Sequence, residues 1–178
     1  MEREIFVHAD LDGAPHLVGR LWTRVRNDRE SATFEYAPAW LDHPARFSLE
    51  PALALVAGPY HTAADLPMFG AIGDSAPDRW GRALMRRMER RRAEREKRAP
   101  RTLREVDYLL LVDDHARQGA LRFAEREGGP FLQEGGVNRI PPLVELARLL
   151  SAAERVLEER DSEEDLRLLF APEELPAP

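Results

Sequence analysis

Asp12-Gly13 lies between two runs of strand-forming residues, Ile5-Phe6-Val7 and Leu17-Val18-Gly19-Arg20-Leu21-Trp22. A type I′ turn needs positive φ at both central residues, which Asp-Gly tolerates, so the pattern predicts a tight β-hairpin. Two linking residues allow an antiparallel pair only, because a parallel pair requires a crossover of about a dozen residues or more. With the turn at 12–13, residues whose numbers sum to 25 face each other: His8 opposes Leu17, and His16 opposes Ala9 on the other side of the sheet. Those two histidines therefore cannot share a metal. Asn27-Asp28 supplies a second turn, and Ser31 to Tyr36, rich in β-branched and aromatic residues, follows as a third strand. The first 36 residues read as an antiparallel meander.

Pro38, Pro44, Pro51, Pro59 and Pro67 then interrupt any sustained period, leaving a short helix near Ala39-Trp40-Leu41 and an irregular packed loop. Ser75 is placed to cap a helix, with Pro77 and Asp78 in its first turn. Trp80, Leu84 and Met88, four apart, predict one buried stripe before the helix becomes charged all round. Thr102-Leu103-Arg104-Glu105 has the form of a capping box, which predicts a core helix over about 103–112. Gly119 introduces a short strand at Ala120-Leu121-Arg122-Phe123, and Gly128-Gly129 and Gly135-Gly136 mark turns. Leu143, Leu146, Leu150, Ala153 and Leu157 form a narrow seam suited to one neighbour. The fold class is thus α+β: a small antiparallel sheet packed with helices, plus a C-terminal helical extension. The domain reading is 1–127 for the sheet-containing part and 128–178 for linker and extension.

Composition narrows the function. No cysteine is present, so disulfides, thiolate metal sites and cysteine nucleophiles are excluded, and the histidines lack ligand spacing. No window has the roughly 18 apolar residues of a membrane span, and the Met1-Glu2-Arg3-Glu4 start is unlike a secretory leader, so a cytoplasmic location is expected. A formal charge of -6 argues against nonspecific nucleic-acid binding by the whole chain. Arginines are nevertheless concentrated over 79–98, where Arg86, Arg87, Arg90 and Arg91 are the candidates for phosphate contact. No aromatic residue lies between Arg82 and Tyr108 to stack on bases, and the acidic stretch Glu154 to Asp165 offers those arginines an alternative partner.

The run Phe69-Gly70-Ala71-Ile72-Gly73-Asp74-Ser75-Ala76-Pro77-Asp78-Arg79-Trp80-Gly81-Arg82 resembles the signature segment of the HipA family of toxin kinases, in its N-terminal subdomain. Val18-Gly19-Arg20-Leu21-Trp22, Ser31-Ala32-Thr33-Phe34-Glu35-Tyr36 and Gln118-Gly119-Ala120-Leu121-Arg122-Phe123 agree with it in order, so the resemblance spans roughly residues 4 to 170. It implies a module that packs on a serine/threonine kinase core, in cis or in trans, while a HipB-like helix-turn-helix antitoxin restrains the kinase and binds operator DNA. It also implies that ATP and Mg²⁺ belong to a kinase core elsewhere, with no cofactor, metal or catalytic residue in this chain. Phosphoryl transfer needs a phosphate cradle, a cation on the phosphates, carboxylates on Mg²⁺ and a base. The single lysine, Lys97, sits in a charged helical run, and neither Gly-Gly pair leads to such a cradle. The expected form is a stand-alone subunit or part of a longer toxin.

Two other readings compete. Val7-His8-Ala9-Asp10-Leu11-Asp12-Gly13 is similar to the nucleophile motif of haloacid-dehalogenase-type, Mg²⁺-dependent phosphatases, with Asp10 attacking, Asp12 as acid, and Lys97 and Asp113-Asp114 completing the set. That fold needs parallel strands, which the hairpin opposes. The other is a DNA-contacting module working through helix 79–98. The preferred reading is a non-catalytic docking module whose interface candidates are Asp74, Asp78, Arg79, Trp80, Arg82 and Gln118.

Overall fold

A computed structural model describes residues 2–112, 114, 117–131 and 146–170. They fall into two compact units, Met1–Asp78 with Leu103–Glu134, and Arg79–Thr102 with Gly135–Pro178. The long arginine helix, inside the 1–127 part of the sequence reading, thus groups with the C-terminal helices.

The first unit is built on five strands in the order β4-β3-β2-β1-β5, antiparallel at every pairing. They are β1 (Glu2–Leu11), β2 (Ala14–Arg26), β3 (Arg29–Tyr36), β4 (Pro59–His61) and β5 (Leu121–Ala124). Asp12 and Gly13 have φ of 54° and 80°, as a type I′ turn demands, and Asn27 and Asp28 repeat the arrangement at 50° and 63°. Pairing follows the expected register from Leu11↔Ala14 to His8↔Leu17, then slips by one at Val7↔Gly19. The slip is a β-bulge. Gly19 lies where it must: a Cβ there would meet the Glu35 carbonyl oxygen at 2.3 Å and the Phe34 ring at 2.6 Å.

Ile5, Val7 and Ala9 point inward by the period-2 rule and are completely buried with Leu21, Phe34 and Phe123. Phe6 and His8, on the opposite side of β1, are buried too. Arg20 lies over the Phe6 ring, and Phe131 meets the His8 ring edge-on at 5.2 Å, so both faces of this strand are covered. The proline-rich stretch contains α1 (Pro38–Leu41) and the short β4, which the sequence reading missed. Tyr36 ties this loop down: its hydroxyl donates to the Leu53 carbonyl at 2.9 Å and accepts from the Leu49 N–H at 3.0 Å. Trp40 Nε1 donates to the Phe47 carbonyl at 3.2 Å. After α2 (Gly70–Gly73), the helix α4 (Glu105–Leu111) adds Val106, Leu109 and Leu110 to the core. α4 starts later than Thr102-x-x-Glu105 predicts, because the Asp107 carboxylate takes the Arg104 N–H at 2.9 Å and Glu30 takes the Glu105 N–H at 2.9 Å.

In the second unit, α3 (Arg79–Arg95), α5 (Leu146–Leu157) and α6 (Glu163–Phe170) share a small apolar cluster of Leu84, Val156 and Leu166, with Leu169 against it. One expectation is corrected here. The stripe Trp80-Leu84-Met88 is buried only at Leu84, since only that residue meets Val156 and Leu166; Trp80 is 38% exposed and Met88 41%. On α5, Leu150 and Leu157 of the expected seam are 60% and 69% exposed, while Ala152 and Val156 are buried. Leu143, Gly135 and Gly136 lie outside the described residues. α6 was not foreseen as a helix, although its cap is explicit: Ser162 Oγ accepts the Asp165 N–H at 3.2 Å and Asp165 accepts the Ser162 N–H at 2.8 Å. No helix among the described residues is long and apolar enough to cross a membrane.

Candidate functional site

The segment after β4 is shaped by its apolar residues. Phe69 and Ile72 are buried in the core of the first unit, and Glu50 accepts the Ala71 N–H at 2.9 Å. The chain then folds tightly, with the Ser75 N–H on the Ile72 carbonyl at 3.1 Å and the Ala76 N–H on the Gly73 carbonyl at 2.9 Å. Ser75 is therefore buried in this turn and does not cap α3, which begins at Arg79. Asp74 and Asp78 stand exposed on either side of it.

A chain of charges secures the turn. Arg117, whose side chain is 1% exposed, donates Nη1 to the carbonyls of Ser75 and Leu109, each at 3.0 Å, and Nη2 to the Val112 carbonyl at 3.0 Å. Leu109 and Val112 belong to the end of α4, where a cation also complements the helix dipole. The guanidinium lies 4.7 Å from the Phe123 ring centroid. Its Nε faces Asp114 Oδ1 at 3.6 Å, and Asp114 is equally buried. Asp114 Oδ2 accepts from Arg122 at 2.5 Å, and Arg122 reaches Asp10 at 2.8 Å. Four alternating charges thus run from the first hairpin to the signature turn, each buried ion having an opposite neighbour. In the sequence Asp114 stands out only within the phosphatase set and Arg117 is not singled out; the signal for both is charge wedged between two apolar runs, which a folded core must neutralise.

Of the expected interface residues, Asp74, Asp78 and Gln118 belong to the first unit, and Gln118 is exposed directly after Arg117. Arg79, Trp80 and Arg82 open α3 in the second unit, the first two exposed and Arg82 half-buried. Along the same helix Arg87 pairs with Asp161, and Arg91 contacts the Asp161 carboxylate at 3.0 Å and its carbonyl at 2.5 Å. Arg95 pairs with Glu163 at 2.7 Å. The acidic stretch therefore meets the basic helix within this unit, taking two of the four arginines proposed for phosphate contact; Arg86 and Arg90 are exposed. Beyond the helix, Arg98 donates to buried Glu89 at 2.6 Å and the Arg101 N–H donates at 3.0 Å. These bonds, the Arg98 one foremost, hold the Glu89 carboxyl down at about 2.

The phosphatase arrangement is not formed. Asp10 lies near the end of β1 and Asp12 in the tight turn of an antiparallel hairpin, and Asp10 is occupied by Arg122 and by the Gly13 N–H at 2.9 Å. Asp113 lies outside the described residues, as does His115. His8 and His16 lie on opposite sides of β1–β2 as expected, but His16 meets His43, with ring centroids 4.6 Å apart. Burial pushes the His8 imidazole below its ordinary pKa, and its Nδ1 has no hydrogen-bond partner among the described residues. Among the described residues no group of three or more His, Asp or Glu side chains is placed to hold a metal ion.

No curated protein and no solved structure matches the chain. A family model described as the HipA N-terminal domain matches residues 12–108, more than half of the sequence. That span holds β2 through α3, the whole signature turn and most of α4, and stops short of Arg117, Gln118 and β5. By that match the chain belongs to the HipA N-terminal domain family.

Proposed function

We propose that this chain is a non-catalytic docking module for a HipA-like serine/threonine kinase core, in cis or in trans, which it positions or restrains within a toxin–antitoxin assembly. The family match through the signature segment carries the reading. The physical support is a firmly held turn that leaves Asp74 and Asp78 exposed, followed by Trp80 at 38% exposure; Trp and Arg are the side chains that most often dominate binding energy at interfaces. ATP and Mg²⁺ serve the kinase core, and a HipB-like helix-turn-helix antitoxin supplies the operator contact. The chain itself touches DNA indirectly or weakly, because Arg87 and Arg91 already have carboxylate partners. Its place is the cytoplasm.

The test is titration of the chain against a purified HipA-like kinase core by calorimetry, with Trp80→Ala and Arg79→Ala alongside. A specific complex weakened at least tenfold by Trp80→Ala is expected. Absence of binding by the unsubstituted chain, in the presence and absence of a HipB-like antitoxin, would remove the reading.

A further inference from the structure

We propose that Arg117 is the positioning residue of the docking turn, holding Ser75 and its neighbours in the shape the partner meets; this rests on the docking reading above. The hydrogen bonds inside the turn, Ser75 to Ile72 and Ala76 to Gly73, are local and define its curvature. Attachment to the body of the unit is a separate matter. Upstream it comes from buried Phe69 and Ile72. At the turn itself, Arg117 Nη1 grips the Ser75 carbonyl while the same guanidinium grips the Leu109 and Val112 carbonyls. A planar fork can serve three fixed carbonyls at once while its carbon sits over the Phe123 ring; an ammonium is a point charge and cannot reproduce that geometry. Arg117 thus transmits the position of α4 and β5 to a turn distant in sequence.

The charge chain makes this effect separable from global stability. When Arg117 is replaced, Asp114 keeps Arg122 as its partner, so no buried carboxylate is left alone. Arg117 meets the sheet's apolar cluster through the Phe123 ring and the Leu109 carbonyl, and the packing of Ile5, Val7, Leu21 and Phe34 on one another does not depend on it. The turn should loosen while the sheet stays folded.

The experiment is amide hydrogen exchange on the full chain carrying Arg117→Lys, with Arg117→Met as the second variant, combined with titration against the HipA-like kinase core. The expected result is exchange at Ser75 and Ala76 at least tenfold faster in Arg117→Lys, with the central β1–β2 amides changed much less, and affinity for the core reduced by a similar factor. Equal acceleration at every amide, or unchanged exchange at Ser75 and Ala76, would overturn the proposal. So would unaltered affinity in a variant whose turn has loosened. If the unsubstituted chain binds no core but the local exchange effect is present, the docking reading falls and the inference falls with it as a docking device, whereas binding that survives Arg117→Lys with an unchanged turn sinks the inference alone.

Discussion

Replacing Gly19 by alanine puts the register of the meander to a direct test. The added Cβ would lie 2.3 Å from the Glu35 carbonyl oxygen and 2.6 Å from the Phe34 ring, and the first of these is strand backbone that cannot rotate away. Restoring an ordinary contact means moving β2 and β3 apart by about 1 Å, against an interstrand spacing of about 4.8 Å. Two or three ladder hydrogen bonds beside the Gly19↔Tyr36 pair would lengthen, at about 1 kcal/mol each, and overpacking adds roughly 1–3 kcal/mol. A loss of about 3–6 kcal/mol follows, lowering the melting temperature by roughly 6–24 °C for a chain of this size. Gly13→Ala is the control. Gly13 has φ of +80° but open space around its Cβ position, so only backbone strain of about 1–2 kcal/mol applies. Urea denaturation of both variants gives the comparison. If Gly13→Ala costs as much as Gly19→Ala, the bulge and the close approach of β3 are not as described.

Three further outcomes are expected. Ser162→Ala removes the α6 cap at a cost of about 1 kcal/mol, seen as faster amide exchange in Glu163–Phe170; unchanged exchange would deny the cap. Glu89 has its pKa depressed, so its stabilisation is complete above its ordinary value of 4.5 and is lost as pH falls toward about 2. Because Arg98 is partly solvated the effect is discounted to about 1 kcal/mol, and Glu89→Gln should flatten acid denaturation between those pH values by that amount. Asp161→Asn removes the carboxylate shared by Arg87 and Arg91, leaving Arg87 with Glu159 at 3.7 Å and Arg91 with the Asp161 carbonyl, so the chain should elute from immobilised heparin at higher salt, and an unchanged elution point would show that the carboxylate does not mask the helix.

What could be read from the sequence was local. Asp12-Gly13 and Asn27-Asp28 declare their turns through positive φ, and the first pairings follow by counting. Counting fails at Val18, because a bulge is decided by Gly19 meeting β3, a neighbour the count does not include. Periodicity located α3 and α5 but misjudged how far the α3 stripe is covered, since Trp80 and Met88 are exposed and only Leu84 between them is buried. β4 escapes notice because three residues opening on Pro59 carry no period, and their pairing depends on β3. The pairing of the acidic stretch with the arginine helix was visible as opposite charge, whereas Arg117 could not be identified as the bolt of the signature turn until Ser75, Leu109 and Val112 were brought together.

Hydrogen-exchange footprinting of the chain with and without a HipA-like kinase core addresses the docking role most directly. Protection should appear at residues 74–82 and at Gln118, with the outer hairpin turn at Asp12-Gly13 unaffected. A complex that leaves 74–82 exchanging as in the free chain would contradict the account.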